Sequence, residues 1–129
     1  MRHYTVDEAN ALLPNLRPLL EDLQGLDRRM RHAVALIQEF EKLAVNNGHG
    51  EHADALRPEH DVEDIGRDMQ ERLLLLEAQS IVLKDIRNGI VDFPSRLHGR
   101  DVYLCWRLGE ETVSHWHDTD AGFAGRQRL

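Results

Sequence analysis

Leu12, Leu16, Leu19, Leu23, Leu26, Met30, Ala33, Ile37 and Phe40 follow one another at alternating four- and three-residue steps. That is a heptad seam, the mark of a helix with one apolar side. At about 1.5 Å per residue it runs for roughly 40 Å. A chain of 129 residues cannot wrap a rod of that length, so other helices must lie alongside it. Leu13, Leu20, Val34 and Leu36 widen the stripe, while Glu21, Asp22, Asp27, Arg28, Arg29 and Arg31 keep the remaining surface charged. Gly25 weakens the helix interior, yet the seam passes through it in register.

Upstream, Thr5 and Glu8 have the spacing of a capping box, with Asp7 adding negative charge to the first turn. Pro14 biases its predecessor away from helical angles, so this first helix is expected to end near Leu13. A second start is then expected with Asn15 as N-cap and Pro18 in the first turn. Residues 46–57, rich in Gly and Asn, read as a loop. A second long helix is expected over 58–88, ended by Gly89 as its C-cap. Val62, Ile65, Met69, Leu73, Leu76, Leu83 and Ile86 make one stripe on it, and Leu74, Leu75, Ile81 and Val82 fall outside that stripe. Two stripes imply two neighbours, and a hairpin supplies one. A homodimer, in which two hairpins form a four-helix bundle, supplies both; the alternative is a monomer whose C-terminal part covers the second stripe.

Past Asn88-Gly89 the period shortens to two. Ile90–Phe93, Asp101–Arg107 and Thr112–His117 read as three antiparallel strands, turning at His98-Gly99 and at Leu108–Glu111. Residues 118–129 read as a tail packed through Phe123. The expected fold is a single domain, mainly α, with a small antiparallel sheet at the C-terminus.

Composition narrows the partners. With 16 Lys and Arg against 23 Asp and Glu, the net charge of −7 repels phosphate backbones and disfavours nucleic acid. A lone cysteine forms no internal disulfide. LLLL at 73–76 is flanked by charge, and the N-terminus lacks the apolar core of a signal peptide. The expected setting is cytoplasmic, without a membrane partner.

Candidate sites gather in the C-terminal block. His115 and His117, two apart on a strand, project from one face and can reach one divalent transition-metal ion, with Asp118, Asp120 or Glu110 completing the shell. The plainer reading is a pair of hydrogen-bonding histidines. Asp85, Asp92, Glu110, Trp116 and Arg126 converge where helices meet sheet and make a candidate ligand pocket, Arg126 being able to clamp a carboxylate or phosphate. Salt bridges to Asp85, Asp92 or Glu110 are the plainer use of that arginine. Cys105 shares a strand face with Arg107; a histidine on a neighbouring strand could act as its base, but a cysteine between Leu104 and Trp106 reads first as a small buried side chain. His49, His52 and His60 sit among acids around the 46–57 loop in no closed zinc spacing, and read as solvated.

YTVDEANALLPNLRPLL near the start, with KDIRNGIVDFP and LCWRLGEETVSHWHDTDAGFAGR near the end, resembles the bacterial family called domain of unknown function 2203. The resemblance covers essentially the whole chain. Its motifs fall on Val91–Pro94, Cys105-Trp106, Gly109-Glu110, Trp116-His117 and Gly122–Arg126. His115 lies outside them, which weakens the two-histidine metal site. The resemblance implies a small bacterial cytoplasmic protein with its signature in the C-terminal block, and it brings no catalytic residues. The expected function is a dimeric helical interaction or scaffold protein without catalytic activity. The alternative is a metal- or small-ligand-binding protein, or an enzyme, with its site around His117, Glu110 and Arg126.

Overall fold

The computed structural model describes residues 2–47 and 58–129. Two helices, α1 (Val6–Asn47) and α2 (Pro58–Ala78), precede five strands: β1 (Val82–Asp85), β2 (Ile90–Leu97), β3 (Arg100–Arg107), β4 (His115–Asp118) and β5 (Gln127–Arg128). The strands form one antiparallel sheet in the order β1-β2-β3-β4-β5. The sheet has five strands where three were expected, so "mainly α" overstates the helices. Of the expected 46–57 loop, Asn46 and Asn47 belong to α1, and residues 48–57, with His49 and His52, lie outside the described residues.

The Thr5–Glu8 box forms in full: the Thr5 amide donates to the Glu8 carboxylate at 2.9 Å, and the Glu8 amide to the Thr5 hydroxyl at 3.1 Å. The break expected at Pro14 does not occur, and α1 runs through both prolines. A proline inside a helix costs about 3 kcal/mol. Here Ala9, Leu13, Leu16, Leu20 and Leu23 are buried on the sheet, and each fully buried leucine contributes about 1.5–3 kcal/mol. Packing outweighs the local penalty. The sheet also shifts the seam: Leu13 and Leu20 are buried, while Leu12 and Leu19 stay at the margin of the core.

The second helix stops at Ala78, ten residues short of its expected end. Ser80 takes a left-handed conformation (φ 61°). The Ile81 amide then donates to the Leu76 carbonyl, and the Ser80 amide to the Glu77 carbonyl. Those two bonds define a Schellman cap, sealed by burial of Leu76 and Ile81 in one cluster. Val82 and Leu83 therefore enter β1 and pair with Asp92 and Val91. Gly89, also left-handed at φ 65°, serves the β1–β2 turn instead, where an added Cβ would sit 2.5 Å from Leu108 Cβ.

One face of the sheet supplies the core. Val91, Phe93, Leu104 and Trp106 pack on α1 and Leu76, with Tyr4 edge-on to Phe93 at 5.3 Å. Farther along the hairpin a smaller cluster of Leu26, Ala33 and Ile65 joins α1 to α2. The tail crosses back as a 3-10 turn at Phe123–Gly125 before β5 pairs with β4.

Candidate functional site

The turn between β2 and β3 sets the site. His98 (φ 53°) and Gly99 (φ 76°) both adopt positive φ, the two-residue turn that matches strand twist. Residues equally far from it stand opposite each other, so Asp92 faces Cys105 across the pair. β4 adds His115 opposite Cys105 and His117 opposite Tyr103. By alternation, Asp92, Cys105, His115 and His117 point to the sheet face away from the helices.

That face is nonetheless dry at its centre. Asp92 is 2% exposed, Cys105 0% and His117 1%. His117 Nε2 lies 3.0 Å from Asp92 Oδ2, and Nδ1 lies 2.8 Å from the Asp118 carbonyl oxygen. A carbonyl only accepts, so Nδ1 carries a hydrogen. The other carboxylate oxygen, Asp92 Oδ1, is buried without a hydrogen-bond partner among the described residues. Burial, followed by the Asp92 charge, pushes the Cys105 thiol up to about 12; Arg126 opposes this.

Beside this trio stands an ion pair. Arg126 Nη1 and Nη2 donate to Glu110 Oε1 and Oε2 at 2.9 and 2.8 Å, a bidentate contact. The Arg107 amide also donates to Glu110 Oε1, at 2.8 Å, and the Trp106 indole to the Glu110 carbonyl, at 3.1 Å. Burial of Glu110 works against its charge, but the hydrogen bonds from Arg126 and Arg107, then the Arg126 and His115 charges, hold its carboxyl below the ordinary value. The Glu110 hydrogen bond raises the pKa of Arg126 against its burial. Phe123 lies beneath the Arg126 guanidinium at 4.2 Å.

The expected residues separate into three groups. Asp92, Glu110, Arg126, His115 and His117 share the outer face of the sheet and its return loop. His115 is held by Ser114 Oγ at 2.9 Å and stands 3.9 Å from Glu110. Trp116 and Asp118 belong to the opposite face: Trp116 lines an open cleft with Leu97, His98, Arg100 and Leu129. The Asp118 carboxylate pairs with Arg100 at 3.2 Å, so Asp118 offers His117 only its main-chain oxygen. Asp85 closes the β1–β2 turn with the Asn88 amide and side chain, away from the trio. Neither His115 nor the Asp118 carboxylate joins His117 in a three-ligand cluster. Asp92 and Cys105 do, their ligand atoms and that of His117 all lying within 4.8 Å of one another. Of these three only His117 belongs to the expected metal set of His115, His117 and Asp118; Asp92 stood in the expected ligand pocket and Cys105 in neither. The signal was present: Asp92 and Cys105 each stand six residues from the His98-Gly99 turn.

Chemically, the trio offers one oxygen, one sulfur and one nitrogen donor in a dry setting. Nucleophilic catalysis by Cys105 needs an exposed thiolate, and this thiol is neither exposed nor ionised at neutral pH. No curated protein and no solved structure matches the chain. Over residues 2–129 it matches the family model described as an uncharacterized conserved protein, DUF2203. Essentially its whole length is covered, and the chain belongs to the DUF2203 family.

Proposed function

We propose that this chain is a non-catalytic interaction protein that acts as a homodimer, two helical hairpins packing side by side in a four-helix bundle. The carrying observation is the set of large aliphatic side chains left in solvent on both helices. Leu43 on α1 is 55% exposed, and Leu74 and Leu75 on α2 are 50% and 55% exposed. Val34 and Leu36 on α1 are also exposed. The sheet covers Leu73 and Leu76 but leaves the adjoining pair open. A second copy brings an equal set of such residues, which makes a self-complementary contact economical. Asp92, Cys105 and His117 are buried and Glu110 is tied to Arg126, which suits binding better than turnover. Among the described residues no helix is long and apolar enough to cross a membrane, and a cytoplasmic setting fits the reading.

Sedimentation equilibrium on tag-free protein tests it, with twice the chain mass expected at micromolar concentration. A monomer throughout a rising concentration series refutes it. A second reading, a ligand held in the C-terminal block, draws support from one atom, the partnerless Asp92 Oδ1.

A further inference from the structure

We infer that Asp92, Cys105 and His117 bind a divalent transition-metal ion of the zinc class, held between three adjacent strands. The inference deepens the second reading above and is independent of the dimer. Its first support is the donor set: carboxylate, thiolate and imidazole are the protein ligands zinc takes, with bonds of about 2.0–2.3 Å. Ligand atoms around a tetrahedral ion of that size stand roughly 3.3–3.8 Å apart. The three atoms here are within 4.8 Å of one another, with His117 Nε2 and Asp92 Oδ2 at 3.0 Å. Shifts of about an ångström or less complete the geometry.

The second support is independent of the first. A buried carboxylate oxygen without a partner is costly, and Asp92 Oδ1 is such an atom in a residue 2% exposed. A cation held by both carboxylate oxygens, or a metal-bound water that donates to Oδ1, satisfies it. The third support is the orientation of the imidazole. Metal-bound histidines commonly donate their other ring hydrogen to a carbonyl or carboxylate. His117 Nδ1 meets the Asp118 carbonyl in this way, leaving Nε2 to face Asp92.

Charge also balances. A divalent ion, one carboxylate and one thiolate sum to zero; the thiol proton and the proton shared by His117 Nε2 and Asp92 Oδ2 both leave to solvent. Glu110 neutralises Arg126 through the bidentate contact, so the guanidinium does not stand against the ion as an unpaired cation. Asp92's second oxygen or a water fills the fourth position. His115, tied to Ser114 and near Glu110, is not required. Without an ion, the same atoms make a buried Asp–His hydrogen bond beside a buried thiol, at the expense of one orphaned oxygen.

The test uses full-length, tag-free protein stripped with chelator and titrated with cobalt(II). Cys105 is the only thiol, so a thiolate-to-cobalt charge-transfer band saturating at one equivalent identifies it without a variant. Zinc is expected to displace the cobalt and abolish the band. Asp92→Asn and His117→Gln are expected to weaken cobalt binding by more than the roughly 10–100-fold that loss of an outer-shell partner costs. Zinc-edge absorption on the unmutated protein is the check if those variants misfold, with one sulfur and an imidazole expected in the shell. Metal binding without a sulfur ligand overturns the site while leaving a ligand in the C-terminal block possible. No binding of either metal, with an ordinary Asp–His hydrogen bond only, overturns the site and the metal branch of the second reading together.

Discussion

Cys105 shows how environment determines what a residue can do. In an unfolded chain its thiol would have a pKa of about 8.5; here burial and the Asp92 charge push it up to about 12. In metal-free protein, alkylation by iodoacetamide at pH 8 is therefore expected to be on the order of a thousandfold slower than in urea-unfolded protein. Rapid labelling of the native state would contradict the burial. Glu110 shows the opposite balance. Hydrogen bonds from Arg126 and Arg107 hold its carboxyl below the ordinary value despite burial. A depressed folded pKa means that the unfolded state takes up the proton first as pH falls. The stabilisation is thus complete above the unfolded value, about 4.3, and is lost as pH drops through the folded one. Urea midpoints measured from pH 6 to pH 3 are expected to fall more steeply for the unmutated protein than for Glu110→Gln. Parallel curves would mean that the ion pair contributes nothing. His117 was evident from its strand and its motif. For Asp92 the sequence signal is a convergence of charges alone, and for Cys105 the apolar neighbours Leu104 and Trp106 are a sufficient reason for burial.

At the scale of elements, local signals govern the structure where the partners are close in sequence. The Thr5–Glu8 box and the His98-Gly99 turn both form as expected. Pro14 misled because its penalty is local while the opposing term, leucine burial on the sheet, is distant. Ser80 misled for a different reason: left-handed backbone favours Gly or Asn, and Gly89 nine residues on was the more obvious candidate. The structure uses both, Ser80 to end α2 and Gly89 to turn β1 into β2. Gly89→Ala places a Cβ against Leu108 in a conformation alanine resists. A loss of about 2 kcal/mol or more is expected from denaturant unfolding. A loss under about 0.5 kcal/mol would show that the turn relaxes freely. β5 carried no periodic signal because it has two residues; its pairing depends on the tail folding back.

For the molecule as a whole, the expected second neighbour for the helices is met only in part. The sheet takes the Leu73 and Leu76 side of α2 and leaves Leu74 and Leu75 outside. Leu74→Glu combined with Leu75→Glu is therefore expected to convert the proposed dimer to monomer in sedimentation. Because both side chains are exposed within one copy, the variant monomer should unfold within about 0.5 kcal/mol of the unmutated one. Dimers that persist in this variant would move the interface elsewhere. A large loss of monomer stability would show the pair to be core residues.

The order of letters alone determined a long first helix with its capped start, the strands that follow Gly89 and the tight turn that opposes Asp92 to Cys105. These depend on spacing within a few residues, where backbone geometry leaves little choice. Tertiary structure decided the rest: which side of α1 is buried, where α2 ends, and that the outer face of the sheet is dry. It also decided that His117 meets Asp92 and Cys105 rather than His115 and the Asp118 carboxylate. Those outcomes depend on surfaces brought together from distant parts of the chain, and burial, unlike periodicity, is a property of what arrives from elsewhere.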